Sequence, residues 1–135
     1  MTVVDTNVLI DWLADDPDWA DWSTARVQDA ASRGPLIIND IIYAELAARF
    51  ESAIELDRFV GAADLRHDAL PTAALFLAGK AFLRYRRQGG TRTGVLPDFF
   101  IGAHATVLDV PLLTRDVGRY RTYFPGLKLI APEGR

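Results

Sequence analysis

The chain has 135 residues, half of them hydrophobic, with no cysteine, two histidines and a net charge of −3. That length fits one compact domain, and the missing cysteines exclude both a disulfide framework and thiolate metal sites. Two histidines leave no imidazole-rich zinc site, and no stretch approaches the ~20 consecutive apolar residues of a membrane span.

Met1-Thr2-Val3-Val4-Asp5 has no basic region ahead of a long apolar run, so no secretory signal is expected and the cytoplasm is the expected location. Charge is unevenly divided. Residues 1–68 carry 14 acidic and 5 basic side chains, and residues 69–135 carry 4 acidic and 10 basic ones. Such a division suits an acidic site beside a basic docking surface, although an uneven surface charge alone would also produce it.

Thr2-Val3-Val4-Asp5 reads as a short buried strand, after which Thr6 or Asn7 can cap a helical segment from Val8 to Leu13. Asp16-Pro17 predicts a helix start, with Trp19, Trp22 and Ala30 among its buried positions. That helix should reach about Ser32 and stop at Gly34. Pro35 to Asn39 predicts the second strand, and Asp40 a cap for the helix carrying Ile41, Ile42, Glu45, Leu46 and Arg49. A helix from Glu51 to about Gly61, a weak strand near Leu65 and a helix from Pro71 to about Arg87 follow. Residues 88–95 (QGGTRTGV) read as a mobile loop. Pro97-Asp98 opens a helix from Phe99 to about Leu108. Val110 to Thr114 is a strand, Asp116 to Tyr123 a helical turn, and Leu127 to Ala131 a last strand. Short apolar strands alternating with helices predict a three-layer α/β/α sandwich, in one domain, around a mostly parallel sheet of four to five strands. Its ligand site should lie beyond the carboxyl ends of the strands.

Four acids fall at that edge. Asp5 ends the first strand, Asp116 follows the strand Val110 to Thr114, Glu45 lies in the second turn of a post-strand helix, and Asp98 lies in the first turn of another. Taken singly, Asp5 could be an N-cap, Asp98 a partner of the helix dipole and Asp116 a turn former. Glu45, among Ile41, Ile42 and Leu46, fits a solvated face less well. Convergence accounts for all four together. Clustered carboxylates raise one another's pKa values, and a divalent cation removes that penalty. An all-oxygen donor set selects Mg2+, with Mn2+ as the substitute, and suits phosphodiester hydrolysis by an activated water. Thr6, Asn7 and Thr114 stand beside these acids and can hydrogen-bond a carboxylate or a bound water, or simply form caps and turns.

Val4-Asp5-Thr6-Asn7-Val8-Leu9-Ile10-Asp11, the Glu45-Leu46 helix, Pro97-Asp98 with Ile101-Gly102-Ala103-His104-Ala105, and Leu112-Leu113-Thr114-Arg115-Asp116 together resemble the PIN-domain family. The ending with Tyr120, Phe124-Pro125-Gly126-Leu127, Leu129-Ile130 and Pro132 resembles its VapC toxin branch. The resemblance covers nearly the whole chain. It implies a Mg2+-dependent endoribonuclease, the toxin of a type II toxin–antitoxin pair, inhibited by a VapB-like antitoxin. It also implies a homodimer that joins the antitoxin in a larger complex. On that pattern Asp5 and Asp98 are the principal metal ligands, Glu45 and Asp116 complete the acidic site, and His104 is structural.

An RNA substrate needs cations around the acids. Arg84, Arg86, Arg87 and Arg92 cluster about the glycine-rich loop with Tyr85 among them, and Arg115 and Arg119 flank Asp116. The C-terminal turn of a helix would also explain Arg84 to Arg87. Trp12 with Phe50, Ile54 and Phe59 could form an apolar groove for an antitoxin helix. A response-regulator receiver would need an acidic pair near the first strand and a late lysine. Asp5 has no adjacent acid, and Lys128 falls inside the last strand. A haloacid-dehalogenase-type phosphatase needs an aspartate where Asn7 stands. A PIN-like or receiver-like module that binds metal without catalysis is the remaining alternative, and retention of all four acids argues against it.

Overall fold

A computed structural model describes residues 1–92 and 94–133. The elements in chain order are β1 (Thr2–Val4), α1 (Thr6–Ala14), α2 (Ala20–Arg33), β2 (Leu36–Ile38), α3 (Asp40–Ala47), α4 (Ala53–Ala62), β3 (Leu65–His67), α5 (Thr72–Arg87), α6 (Leu96–Leu108), β4 (Leu112–Leu113), α7 (Gly118–Tyr123) and β5 (Leu129–Ile130). Of the loop expected over residues 88–95, Thr93 lies outside the described residues.

The five strands form one parallel sheet in the order β3-β2-β1-β4-β5. This is the α/β sandwich expected, with every strand parallel. Val3, Val4, Ile37, Ile38, Leu112 and Leu113 are fully buried, which is why these strands are apolar throughout instead of alternating. Burying each such side chain contributes roughly 1.5–3 kcal/mol. The chain moves outward from β1 through β2 to β3, then returns to β4 on the other flank of β1. The order therefore reverses between β1 and β4, where a crevice opens beyond the carboxyl ends of the strands. Val4 pairs with Leu113, and the Asp5 N–H donates to the Leu113 carbonyl at 2.9 Å. The pairing sets Asp5 and Thr114 side by side at the crevice floor.

Helix α6 is buried nearly all round, through Phe99, Ile101, Gly102, Ala103, His104 and Ala105. Its small residues admit close neighbours: a Cβ at Gly102 would lie 2.7 Å from the Phe124 ring. Ala74, Ala78 and Ala81 of α5 are likewise buried in the core.

Several boundaries differ from expectation. Helix α1 starts at Thr6, two residues before Val8, with Asp5 at the N-cap position but making no side-chain cap bond. Its carboxylate is turned toward other partners. Asn39, not Asp40, caps α3 by accepting from the Ile42 N–H. Asp16 does cap, accepting from the backbone N–H groups of Asp18 and Trp19 at 2.9 Å, but a turn intervenes and α2 begins at Ala20. Trp19 and Trp22 are half-buried, while Ser23, Val27 and Ala30 face the core. Among the described residues, no helix is long and apolar enough to cross a membrane.

Candidate active site

Asp5 is 5 % exposed. One oxygen, Oδ2, accepts from Thr114 Oγ1 and from the Tyr120 hydroxyl, each at 2.9 Å, and more weakly from Asn7 Nδ2 at 3.4 Å. These donors favour the charged form, but burial outweighs them. With the charges of Asp98 and Glu45 adding to it, burial lifts the carboxyl from its ordinary 3.8 to about 6. Tyr120, itself 2 % exposed, is pushed well above its ordinary range by burial and by the nearby Asp5, Asp98 and Glu45 carboxylates, and so stays a donor.

The other acids enter from separate segments of the chain. Asp98, in the first turn of α6, is half-buried, and Oδ2 pairs with Arg119 Nη1 at 2.5 Å. Even so its carboxyl lies above the usual value, because burial and the charges of Glu45 and Asp116 exceed what the guanidinium offsets. Glu45 of α3 is exposed, and its Oε1 accepts from Thr6 Oγ1 at 2.7 Å. Asp116 is also exposed; its N–H donates to Thr114 Oγ1 at 3.1 Å, and that hydroxyl approaches the Asp116 carbonyl at 3.2 Å. Asp5 feels Asp98 and Glu45, and Asp98 feels Glu45 and Asp116. The four carboxylates thus share one electrostatic neighbourhood, drawn from the β1–α1 junction, α3, α6 and the β4–α7 connection.

Among the described residues, no three acidic or histidine side chains close into a ready-made cation cage. Like charges separate when each can find its own donor, and each of Asp5, Asp98 and Glu45 has done so. The donors are nonetheless all oxygen, as Mg2+ or Mn2+ requires. The raised Asp5 and Asp98 carboxyls are the groups a nearby cation would relieve. The residues present fit such an ion.

Thr6, Asn7 and Thr114 all lie beside the acids. Asn7 Nδ2 donates to Thr114 Oγ1 at 3.2 Å, and Oδ1 accepts from the Arg115 N–H at 3.2 Å. The basic residues are more dispersed than the sequence reading supposes. Arg84 donates to the Tyr123 carbonyl at 3.0 Å and lies over its ring, so it ties α5 to α7. Arg115 turns away to Asp11, with Nη2 donating to Oδ1 at 2.8 Å. Nε lies 2.6 Å from Oδ2, but with its N–H off-axis, and the guanidinium covers the Trp19 ring at 5.0 Å. Asp11 is 1 % exposed, and the half-buried Arg115 guanidinium pairs with it. Arg86 and Arg87 are exposed on the last turn of α5, with Arg86 over Phe82. Arg92 lines an open cleft with Thr91, Gly94, Val95, Asp116 and Arg119.

Tyr120 and Asp11 carry parts of the site that spacing alone did not reveal. Tyr120 stood only within the family-like ending, and Asp11 only within the family-like segment that starts at Val4. His104 is buried against Asn39, Nδ1 to Nδ2 at 3.1 Å, and burial lowers its pKa; it lies in the core. Trp12, Phe59 and Phe50 do meet, with ring centroids 5.8 Å and 5.7 Å apart in sequence along the row.

The PIN domain family model matches residues 2–125. No curated protein sequence matches the chain. Solved structures similar to it include VapBC2 from Rickettsia felis bound to a promoter DNA fragment, at 18% identity, TM-score 0.74 and 98% coverage of both chains. DNA-bound VapBC from Salmonella typhimurium matches at 20% identity, TM-score 0.70 and 96% of both chains. VapBC-1 from nontypeable Haemophilus influenzae matches at 19% identity, TM-score 0.71 and 96% of both chains. At such identities the likeness is one of fold.

Proposed function

The chain belongs to the PIN domain family, and on that premise we propose that it is a Mg2+-dependent endoribonuclease, the toxin of a VapBC-type toxin–antitoxin pair. The observation that carries the chemistry is the shared neighbourhood of Asp5, Glu45, Asp98 and Asp116, with the Asp5 carboxyl lifted to about 6 at the carboxyl edge of the sheet. Support for the toxin role comes from the toxin–antitoxin assemblies named among the similar structures.

Asp5, Asp98 and Asp116 would hold the ion. When bound, Mg2+ supplies Lewis acidity at the phosphoryl oxygen and makes a water nucleophilic near neutral pH. The remaining work falls to side chains. Thr114 and Tyr120 keep Oδ2 of Asp5 engaged and so fix the direction of Oδ1. Thr6 holds one oxygen of Glu45. The exposed carboxylate can then accept a proton from the attacking water as its oxygen bonds to phosphorus and the P–O bond to the ribose oxygen breaks, the departing oxygen taking up a proton from solvent. Asn7 bridges Thr114 to the Arg115 backbone and steadies the connection that carries Asp116. Arg92, at the rim of the cleft beside Asp116, is the substrate-facing cation, with Arg86 and Arg87 further out on α5. In this reading the Trp12–Phe59–Phe50 row receives an apolar antitoxin helix. A second copy of the chain covers the exposed Leu75, Phe76 and Leu83 of α5.

The test is cleavage of cellular RNA by the purified chain with Mg2+ and with EDTA. Asp5→Asn and Asp98→Asn should each abolish Mg2+-dependent cleavage while leaving circular dichroism unchanged; cleavage at the wild-type rate in either variant refutes the assignment. Expression should arrest growth, and co-expression of the adjacent reading frame should relieve it.

A further inference from the structure

Among the described residues, Arg119 is the one cation in ion-pair contact with any of the four carboxylates. Its position is ambiguous in an informative way. The guanidinium reaches Asp98 Oδ2, and the same residue lines the open cleft shared by Thr91, Arg92, Gly94, Val95 and Asp116. It therefore stands between the acids and the surface along which a nucleic-acid strand would run.

Arg84 and Arg115 lack this freedom. Arg84 is bound to a backbone carbonyl, and Arg115 to a carboxylate that is 1 % exposed. No ligand of the site competes for either partner. Arg119 differs because its partner is one of the oxygens a divalent ion would claim. A guanidinium and a divalent cation offer Asp98 the same thing, positive charge against the repulsion of Glu45 and Asp116, and the ion offers more of it in less volume. Once displaced, a planar fork of donors is left in a cleft beside Arg92, and that geometry matches a phosphate.

We propose that Arg119 is a two-position residue: it neutralises Asp98 while the site lacks its ion, and it moves to a phosphate of the RNA strand when the ion enters. The inference rests on the metal-dependent nuclease reading above. It makes ion binding and RNA binding mutually supportive, because the event that fills the acidic site also frees a cation for the substrate.

The test compares wild type with Arg119→Gln and Arg92→Gln. Mn2+ affinity is measured by calorimetry without RNA, and affinity for a phosphorothioate RNA strand is measured by anisotropy over a salt series, with and without Mn2+. Arg119→Gln should bind Mn2+ about three- to tenfold more tightly, the range expected for loss of one partly exposed competing ion pair. Arg92→Gln, which touches no acid, should bind it as wild type does. With Mn2+ present, Arg119→Gln should lower the salt slope of RNA binding by about 0.7, one phosphate contact, and should leave it unchanged without Mn2+. Unchanged Mn2+ affinity in Arg119→Gln, an equal gain in Arg92→Gln, or the same slope change with and without Mn2+ overturns the proposal and leaves the nuclease reading standing. A wild-type chain that binds no Mn2+ overturns both.

Discussion

Asp5→Asn should make the protein more stable at neutral pH, although it removes the most buried of the four clustered carboxylates. The carboxyl is lifted from 3.8 to about 6 by burial, with Asp98 and Glu45 adding to the effect. An acid whose folded pKa is raised binds more protons folded than unfolded between those two values, so stability falls as pH rises through that window. The penalty is absent below pH 4, grows to about pH 6 and is constant above. Its full size is about 3 kcal/mol, at 1.36 kcal/mol per pKa unit. Asparagine keeps an oxygen for Thr114 and Tyr120 and carries no charge, so most of the penalty disappears. Urea unfolding in EDTA at pH 4 to 8 should find the two proteins equal near pH 4, and the variant ahead by about 2–3 kcal/mol at pH 7 to 8. Burial of neutral His104, whose pKa is lowered, acts oppositely and favours the fold as pH rises. It is common to both proteins and cancels in the difference. Saturating Mg2+ should close the gap from the wild-type side, since a ligand at a hundred times its Kd adds about 2.7 kcal/mol. A variant no more stable than wild type at pH 8, or a gap that does not change with pH, would refute the reasoning.

Tyr120→Phe removes a donor that favours the charged form of Asp5. The acid limb of the pH–rate profile should therefore move to higher pH, with a stability loss of about 1 kcal/mol by urea titration. Gly102→Ala would push a methyl to 2.7 Å from Phe124 and should lower stability by about 1–3 kcal/mol in thermal melts, with Mn2+ affinity retained.

The strands and the acids that follow them were legible because both are local patterns. An apolar run of three residues followed by a carboxylate reads the same in any context, and a parallel sheet brings such endings together. What stayed hidden was the choice of partner by side chains long enough to have several. Arg115 adjoins Asp116 in sequence, yet its guanidinium goes to Asp11, because a carboxylate buried on α1 outbids an exposed one. Asp98 meets Arg119 rather than only the helix dipole. Tyr120 reaches Asp5 across 115 positions, a contact that exists only once α7 has packed. The cap of α3 passed to Asn39 because Asp40 is turned outward to His67 at 2.7 Å. The tryptophans read as core because of their size, but α2 presents smaller residues inward.

The register that joins β1 to β4 also bears on synthesis. Asp5 leaves the ribosome ahead of Thr114, which fixes its carboxylate and lies 109 residues later, and Asp116, Arg119 and Tyr120 follow later still. Until that segment has emerged and β4 has docked beside β1, a growing chain has neither the floor of the crevice nor the full set of acids. On the nuclease reading proposed above, a product truncated before Leu112 should show no RNA cleavage.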